Sequence, residues 1–338
     1  MATQKPPTIY DIAEEAGLSK SVVSRALQGQ KNVSENSRRR VLETAERLGY
    51  VPNAMARGLA ANRTRTLGVV LRDVRLQYYG LLQSALQQRA MELGYNLVTV
   101  TGVKELTATD ALSSLRSLIA LRVDGLIISS AQLSGEDMTR YINQVPVVVA
   151  GHAEYGAGLV SVHCDEEDGG RQMAEYLIKL GHRKVAVLLV SDLQSASQYA
   201  RGMAMINTLH KAHVAVVEID LTQYRGPIGP ILEPMLSDPD ITALMCPNDL
   251  IMMEVMEDLR IRNIPVPDRL SVTGYDGFGC LAEPLLGFTS FRQPVEKIGA
   301  VAVDRLIEWV ETGVPKQERT PIMGTLIPGR TASFPHNR

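Results

Sequence analysis

Apolar residues in the first fifty positions recur at helical spacing and never alternate as a strand would require. Ile9, Ile12, Ala13 and Ala16 share one face of a first predicted helix. Thr8 stands where an N-cap belongs, Asp11 where the reciprocal acid of a capping box belongs, and Gly17 where the helix must stop. After a tight turn Ser19 can cap a second helix running to about Leu27, with Val23, Ala26 and Leu27 inward. Ser34 can cap a third, with Val41, Leu42, Ala45 and Leu48 inward and Gly49 as its stop. The polar stretch Gly29 to Asn32 lies between the second and third helices.

From Thr66 the pattern changes to short, continuously apolar runs separated by amphipathic helices. The predicted strands are Leu67–Leu71, Leu97–Val100, Gly125–Ile128, Val147–Ala150, Val160–His163, Val185–Val190, Val214–Ile219, Ala243–Cys246 and Ser271–Gly274. The predicted helices are Tyr79–Leu93, Asp110–Leu121, Glu136–Asn143, Glu166–Leu180, Ser197–Ala212, Ile228–Leu236 and Asp249–Arg262. Strands without alternation are buried on both faces, which implies parallel sheets covered by helices. More than eight strands are too many for one open sheet, so two α/β lobes are expected, with ligands at the carboxyl ends of the strands. No repeat at a solenoid period and no low-complexity segment is present.

A length of 338 residues exceeds one ordinary domain of roughly 100–200 residues. No apolar run approaches the roughly 18–20 residues that span a bilayer, and the N-terminus lacks the apolar core of a signal peptide, so no membrane partner is expected. Cys164, Cys246 and Cys280 are far apart with no metal-ligand spacing; idle thiols in a reducing cytoplasm and no metal or cofactor are expected. The net charge of −2 conceals an asymmetry. Residues 1–65 hold 11 Lys+Arg against 6 Asp+Glu, a net of +5, leaving 24 of the 35 basic and 31 of the 37 acidic residues, a net of −7, for the remainder. A basic end on an acidic body suits a phosphate-binding module joined to a body that does not bind nucleic acid.

Two helices joined by a glycine turn over Ile9–Leu27 form a helix-turn-helix pattern, whose second helix enters the major groove by its N-terminal residues. Those are Lys20, Ser21 and Val22, with Arg25 one turn on. Arg25 can pair bidentately with guanine, Val22 can touch a thymine methyl, and Lys20 and Ser21 can donate to base edges or phosphates. Arg38, Arg39 and Arg40 open the third helix within reach of phosphates. The competing reading is a small helical bundle with a solvated basic face.

The stretch from Thr8 through Ile-Tyr-Asp-Ile-Ala-Glu-Glu-Ala-Gly-Leu-Ser-Lys-Ser-Val-Val-Ser-Arg-Ala-Leu27 strongly resembles the N-terminal signature of the lactose-repressor/galactose-repressor (LacI/GalR) family. So does Val33-Ser34 leading to Gly49-Tyr50-Val51-Pro52-Asn53. The resemblance continues through Leu67-Gly68-Val69-Val70, Val123-Asp124-Gly125-Leu126-Ile127, Gly181-His182-Arg183, Asn248-Asp249, Ser271-Val-Thr-Gly-Tyr-Asp276 and Arg292-Gln293-Pro294. It implies an α/β protein with an N-terminal three-helix helix-turn-helix headpiece and a two-lobed, periplasmic-binding-protein-like core of parallel sheets flanked by helices. The expected divisions are 1–50 for the headpiece, 51–65 for a hinge and 66–338 for the core. Lobe one is expected over about 66–164 and 293–323, lobe two over about 165–292 and 324–338.

The resemblance further implies a cytoplasmic, nucleoid-associated bacterial transcription regulator, a repressor of a metabolic operon, that binds double-stranded operator DNA as a homodimer. The tail after Arg330 is too short and Pro-interrupted for a heptad coiled coil, so a dimer rather than a tetramer is expected. DNA contacts are implied for Thr8, Tyr10, Ser19, Lys20, Ser21, Ser24, Arg25, Asn32 and Arg39, and in the hinge for Asn53, Arg57 and Leu59. Leu59 matches the family's leucine wedge in the minor groove, which kinks the duplex. Pro52 suits a helix first turn, but Gly58 and the short span 53–61 make a hinge helix marginal until DNA and a partner support it.

An effector cleft is implied at Arg72, Asp73, Tyr79, Ser129, His152, Ser197, Asn248 and Asp276, with Tyr78 beside Tyr79 as an aromatic pair. The expected effector is a sugar, sugar acid or related metabolite, with Arg72 and Arg75 favouring an anion. The chain departs from the family at Gly151-His152, where Asp-Arg is common, and at Ser195 to Tyr199, where an arginine is common; Arg201 is expected to face elsewhere. Of other classes, a solute-binding protein fits the lobes but not the headpiece. No nucleotide loop, nucleophile elbow or metal spacing suggests an enzyme, and His163-Cys164-Asp165 is read as a strand end.

Overall fold

A computed structural model describes residues 6–51, 63–102, 107–130, 132–156, 158–222, 226–315 and 319–335. The chain divides into two compact units, Met1–Thr64 and Arg65–Arg338. Asn53, Arg57, Leu59 and the rest of the expected hinge helix lie outside the described residues.

In the first unit α1 spans Ile9–Glu15, α2 Lys20–Leu27 and α3 Glu35–Arg47. The capping box forms as the residue types require: Thr8 Oγ1 accepts from the Asp11 amide and Asp11 Oδ2 accepts from the Thr8 amide at 2.6 Å. Gly17, at φ 62°, turns the chain through the left-handed region that a side chain resists, and Ser19 then caps α2. Ile12, Val23 and Val41 are fully buried at the centre, one from each helix. Leu42 is not inward as expected; it is 50% exposed, and Thr44 is buried in its stead. At about 100° per residue, Val41, Thr44 and Ala45 share a face that Leu42 turns away from.

In the second unit two parallel sheets form. Strands β1 (Thr66–Leu71), β2 (Asn96–Thr101), β3 (Gly125–Ser129), β4 (Val147–Ala150), β5 (Val160–Cys164) and β11 (Arg319–Ile322) lie in the order β11-β5-β4-β3-β1-β2. Strands β6 (Lys184–Leu189), β7 (Ala215–Asp220), β8 (Ala243–Met245) and β9 (Ser271–Thr273) lie in the order β7-β6-β8-β9. Strands β3 and β4 are buried along their whole length, which is why no alternation was visible in the sequence. The helices are α4 (Gln77–Glu92), α5 (Ala108–Ala120), α6 (Gly135–Thr139), α7 (Glu166–Lys179), α8 (Ala196–Lys211), α9 (Gly229–Leu236), α10 (Asp249–Ile261) and α11 (Val295–Thr312). Helix α6 ends four residues earlier than its apolar pattern predicts, giving way to turns through Tyr141 and Val145.

One major element lies outside the predicted helices. Helix α11 packs on α4, β3, β4 and β5, burying Val295, Ile298, Ala302, Val303 and Leu306 completely. Their spacing is plainly helical and was legible. Strand β10 (Ser290–Arg292) precedes it and pairs antiparallel with β12 (Thr325–Ile327), while β11 adds to the first sheet beside β5. The chain thus re-enters the first sheet after having built the second.

Because Leu306 is fully buried where α11 meets the sheet, Leu306→Ala is expected to destabilise the second unit by about 2–5 kcal/mol. Leu42→Ala, on an exposed face, should change stability by less than about 0.5 kcal/mol. Chemical denaturation followed by circular dichroism measures both; equal losses would contradict the burial.

Candidate functional site

The first candidate surface is the start of α2. Lys20 and Ser21 are exposed there, and Ser24 and Arg25 are half-buried. Lys20 Nζ donates to Tyr10 Oη at 2.8 Å and lies 4.5 Å from the centre of its ring, so Tyr10, itself 63% exposed, steadies the lysine. Arg25 Nε donates back to the Ser21 carbonyl at 3.1 Å. Thr8 and Ser19 serve as helix caps, Ser24 Oγ accepts from Gln28 at 3.4 Å, and Asn32 is exposed in the following loop. Of the three arginines that open α3, Arg39 is exposed, whereas Arg38 donates to the Gln30 carbonyl at 2.7 Å and Arg40 to that of Ala16 at 2.6 Å. Those two brace the loop and the turn as well as carrying charge, which their sequence positions did not disclose.

The second candidate is a cavity of about 460 Å³ in the second unit. Its walls come from residues that follow the carboxyl ends of strands in both sheets: Arg72 after β1, Ser129 ending β3, Gly151 and His152 after β4, Asn248 after β8 and Asp276 after β9. The first turns of α4 and α8 add Tyr78, Tyr79, Ser197 and Gln198. Seven of the eight residues expected at an effector cleft therefore line one cavity.

Asp73 is the exception. It is 6% exposed and takes the fork of Arg75, with Nε to Oδ1 at 3.0 Å and the terminal nitrogen to Oδ2 at 2.6 Å. The two are separated by one residue on the same turn, and that local pairing, which holds the Asp73 carboxyl below its usual range, turns Asp73 from the cavity wall to a support of Arg75.

Arg201 corrects a further expectation. It does not face elsewhere; it lines the cavity and is 3% exposed. One helical turn after Ser197 on α8, it shares that residue's face. Its fork meets both oxygens of Glu166 at 2.8 Å, it donates to the Pro247 carbonyl at 3.1 Å, and it stacks 3.8 Å from the centre of the Tyr275 ring. Asp276 Oδ1 lies 3.6 Å away and accepts from Gln293 at 2.7 Å. Burial works against the guanidinium charge, but Glu166, Tyr275 and Asp276 outweigh it, and the guanidinium is held above its ordinary range.

Asp276 adopts φ 127°, a conformation rare outside glycine, at a position where its amide donates to the Phe291 carbonyl at 2.9 Å. Burial raises its carboxyl to about 7, with Arg201 pulling it down and Asp249 pushing it up. Asp249, quoted in the sequence motif but not assigned to the site, is raised by burial to about 6; its oxygens accept from Ser290 Oγ at 2.7 Å and the Gly277 amide at 2.8 Å, clamping the loop that carries Asp276. Asn248 caps α10 by accepting from the Ile251 amide at 2.8 Å and donates to Gln198 at 3.2 Å. Burial lowers the His152 imidazole, making it a neutral hydrogen-bonding group at pH 7. Burial raises Tyr79, partly countered by Arg72. Gln198, Gln293 and Phe278 also line the wall; Gln198 and Gln293 lie in stretches the resemblance had picked out, though neither was assigned to the site.

Cys164 ends β5 and Asp165 caps α7, as expected of a strand end. Burial pushes the Cys164 thiol far up, away from the thiolate form that a nucleophile needs. Among the described residues, no cluster of three or more His, Cys, Asp or Glu is arranged to hold a metal, and no helix is long and apolar enough to cross a membrane.

Residues 8–53 match the model of the bacterial regulatory proteins of the lacI family, and residues 64–337 match that of the periplasmic binding proteins and sugar binding domain of the LacI family. Catabolite control protein A of Priestia megaterium is 31% identical over 312 residues, covering 90% of this chain and 92% of its own. The HTH-type transcriptional regulator DegA of Bacillus subtilis is 28% identical, covering 87% and 88%. The lac repressor dimer bound to operator and the anti-inducer ONPF superposes with a TM-score of 0.84 at 27% identity, covering 97% of this chain and all of that one.

The raised carboxyls have a definite pH signature. Asp276 and Asp249 are easier to protonate folded than unfolded, so their stabilising contribution is full below about pH 4 and is lost as pH rises through about 6 to 7. Asp276→Asn should flatten the fall in melting temperature between pH 5 and 8 relative to the unchanged protein. Parallel melting curves for the two proteins across that interval would refute the shift.

Proposed function

The chain belongs to the lacI family of bacterial regulatory proteins, and on that premise we propose that α2 reads operator DNA while a small polar metabolite in the cavity sets the affinity. It is a DNA-binding transcription regulator with a sugar-binding type of core. The observation that supports the division of labour is that one chain carries a helix-turn-helix unit and, in a separately compact unit, a polar cavity at the carboxyl ends of two parallel sheets.

In this reading residues 1–50 hold the DNA, 51–65 form the hinge and 66–338 bind effector and a second copy. Arg25 reads a guanine; Lys20, Ser21 and Ser24 meet bases or phosphates; Thr8, Tyr10, Ser19, Asn32 and Arg39 position the unit on the backbone. Asn53, Arg57 and Leu59 act at the minor groove. Because two copies of one reading helix need two related half-sites, the operator is near-palindromic and the protein a homodimer. The protein is a repressor, works in the cytoplasm at the nucleoid, and has no catalytic role.

Arg72, Tyr79, Ser129, His152, Ser197, Asn248 and Asp276 contact the effector. Asp276 and Asn248 suit hydroxyl groups and the tyrosines suit a sugar face. The fork between Arg75 and Asp73 removes one of the two arginines from the case for an anion. The effector is therefore a polyhydroxylated molecule with at most one acidic group. Effector binding alters operator affinity by favouring one arrangement of the two lobes over another.

Arg25→Ala is expected to lose discrimination at one guanine per half-site by about 1–3 kcal/mol while keeping weak binding to random DNA. Arg39→Ala should weaken all sequences alike and lower the salt slope by about one unit. Gel shifts over a salt series distinguish them; identical behaviour would misplace the reading helix.

A further inference from the structure

We propose that Glu166, which cancels the charge of Arg201, bars anions from the cavity, so that the effector is a polyhydroxylated molecule without an acidic group. The proposal rests on reading the cavity as the effector site and narrows its ligand from one acidic group at most to none. Arg201 lines the cavity, and an unpaired guanidinium there would be the natural seat of a carboxylate or phosphate. Its fork, however, is closed. Nε meets Glu166 Oε2 and one terminal nitrogen meets Oε1, both at 2.8 Å. The other terminal nitrogen donates to the Pro247 carbonyl at 3.1 Å, and the Tyr275 ring covers one face at 3.8 Å. Three of the five N–H groups are thereby engaged. An anion in the cavity would meet a guanidinium whose charge is already answered.

Glu166 does not line the cavity itself; it is a positioning residue that acts through Arg201. The contact between α7 and α8 brings the two together. Glu166 opens α7, and Gly170, one turn on, shares its face. A Cβ at Gly170 would stand 2.3 Å from the Arg201 carbonyl oxygen and 2.8 Å from the Ala204 Cβ. Glycine there lets α7 approach α8 closely enough for the two-point pairing. A Cβ at Gly169 would stand 2.0 Å from the Tyr275 oxygen, so the same glycine pair also seats the ring that covers Arg201.

The charge of the whole lining agrees. Its arginines and acids are Arg72, Arg75, Arg201, Asp249 and Asp276. Behind them Asp73 pairs with Arg75 as Glu166 does with Arg201. Three positive charges therefore stand against four negative ones, or against three when Asp276, raised by burial to about 7, holds a proton. In neither state has the cavity positive charge to spare for an anion. Loss of the Glu166 charge would leave the buried guanidinium with Asp276 alone, at 3.6 Å, and an anion entering the cavity would supply what is missing.

The test compares each sugar with its own acid. The full chain, Glu166→Gln and a double variant carrying Glu166→Gln with Arg201→Met are melted at pH 7 and constant ionic strength. Each is melted in sodium chloride alone and with D-glucose, D-glucuronate, D-galactose, D-galacturonate or inorganic phosphate, since a ligand of the native state raises the melting temperature. The unchanged protein should respond to a neutral sugar and not to its acid or to phosphate. Glu166→Gln should melt lower without ligand, and an acid or phosphate should raise it by about 3 °C or more beyond any rise in the unchanged protein. The double variant, which has no guanidinium to answer, should lose that gain.

An acid that stabilises the unchanged protein as well as its neutral sugar does overturns the proposal and leaves the effector site standing. A folded Glu166→Gln that is indifferent to anions overturns it too, as does a double variant that keeps the gain, for the anion would then be bound elsewhere. Where Glu166→Gln fails to melt cooperatively, the pairs of sugar and acid on the unchanged protein decide alone. If no sugar or acid shifts the unchanged protein, the effector reading of the cavity falls, while phosphate on Glu166→Gln still decides whether Glu166 cancels Arg201.

Discussion

A single buried guanidinium organises one wall of the cavity. Arg201 is almost wholly removed from water, and a charge so placed persists only if every side of it is answered. Glu166 answers the fork, the Pro247 carbonyl a further donor, the Tyr275 ring one face, and Asp276 the remaining charge at longer range. These partners come from the start of α7, the segment before α10 and the segment after β9. One side chain thus joins three strand ends that are distant in sequence, and removal of any one partner leaves the others facing an uncompensated charge. The cost of breaking such a pair, about 3–5 kcal/mol, is comparable with the stability of a domain.

That arrangement also accounts for the chemistry of the neighbouring acids. With Glu166 taking the fork of Arg201, Asp276 has only a distant share of its charge, and burial dominates its carboxyl. Asp249 stands close behind and adds repulsion, yet it is fixed there by Ser290 and Gly277. The acid side of the cavity is therefore short of positive charge and readily takes up a donor, whether a proton or a ligand hydroxyl. Elsewhere in the lining Arg72 interacts with Tyr79, and Arg75 is paired with Asp73. The cavity has one acid-rich wall and one wall of arginine and aromatic rings, which orients a polar molecule placed between them.

How much of this was legible depends on the range of the interactions. Caps and turns act over three or four residues, and so Thr8, Gly17, Ser19 and Ser34 were read correctly. Short, largely apolar runs mark the strands, and all nine predicted ones were found in place, although β2 and β7, at the sheet edges, are not buried on both faces. Helix α11 lies beyond the last predicted strand, although Val295, Ile298, Ala302, Val303 and Leu306 carry the periodic signal of a helix. Leu42 was misplaced by one step of the helix. Arg201 was expected to face elsewhere but lines the cavity, and Asp73 pairs with Arg75 outside the lining, because their partners, Glu166 thirty-five residues away and Arg75 two residues away, decide where each side chain points.

The sequence by itself determined the helix-turn-helix unit, the α/β character of the rest and the family, since these rest on local periodicity, capping chemistry and motifs in fixed order. The resemblance also named seven residues that line the cavity, but only the tertiary structure decided how the site is built and how its groups are paired. It returned β11 to the first sheet after the second had been built, brought the ends of β1, β3, β4, β8 and β9 around one cavity, and set Tyr78 against Gly151. The physical reason is that hydrogen-bond satisfaction and the pairing of buried charge are settled between residues tens to hundreds of positions apart, where no spacing along the chain records which groups will meet.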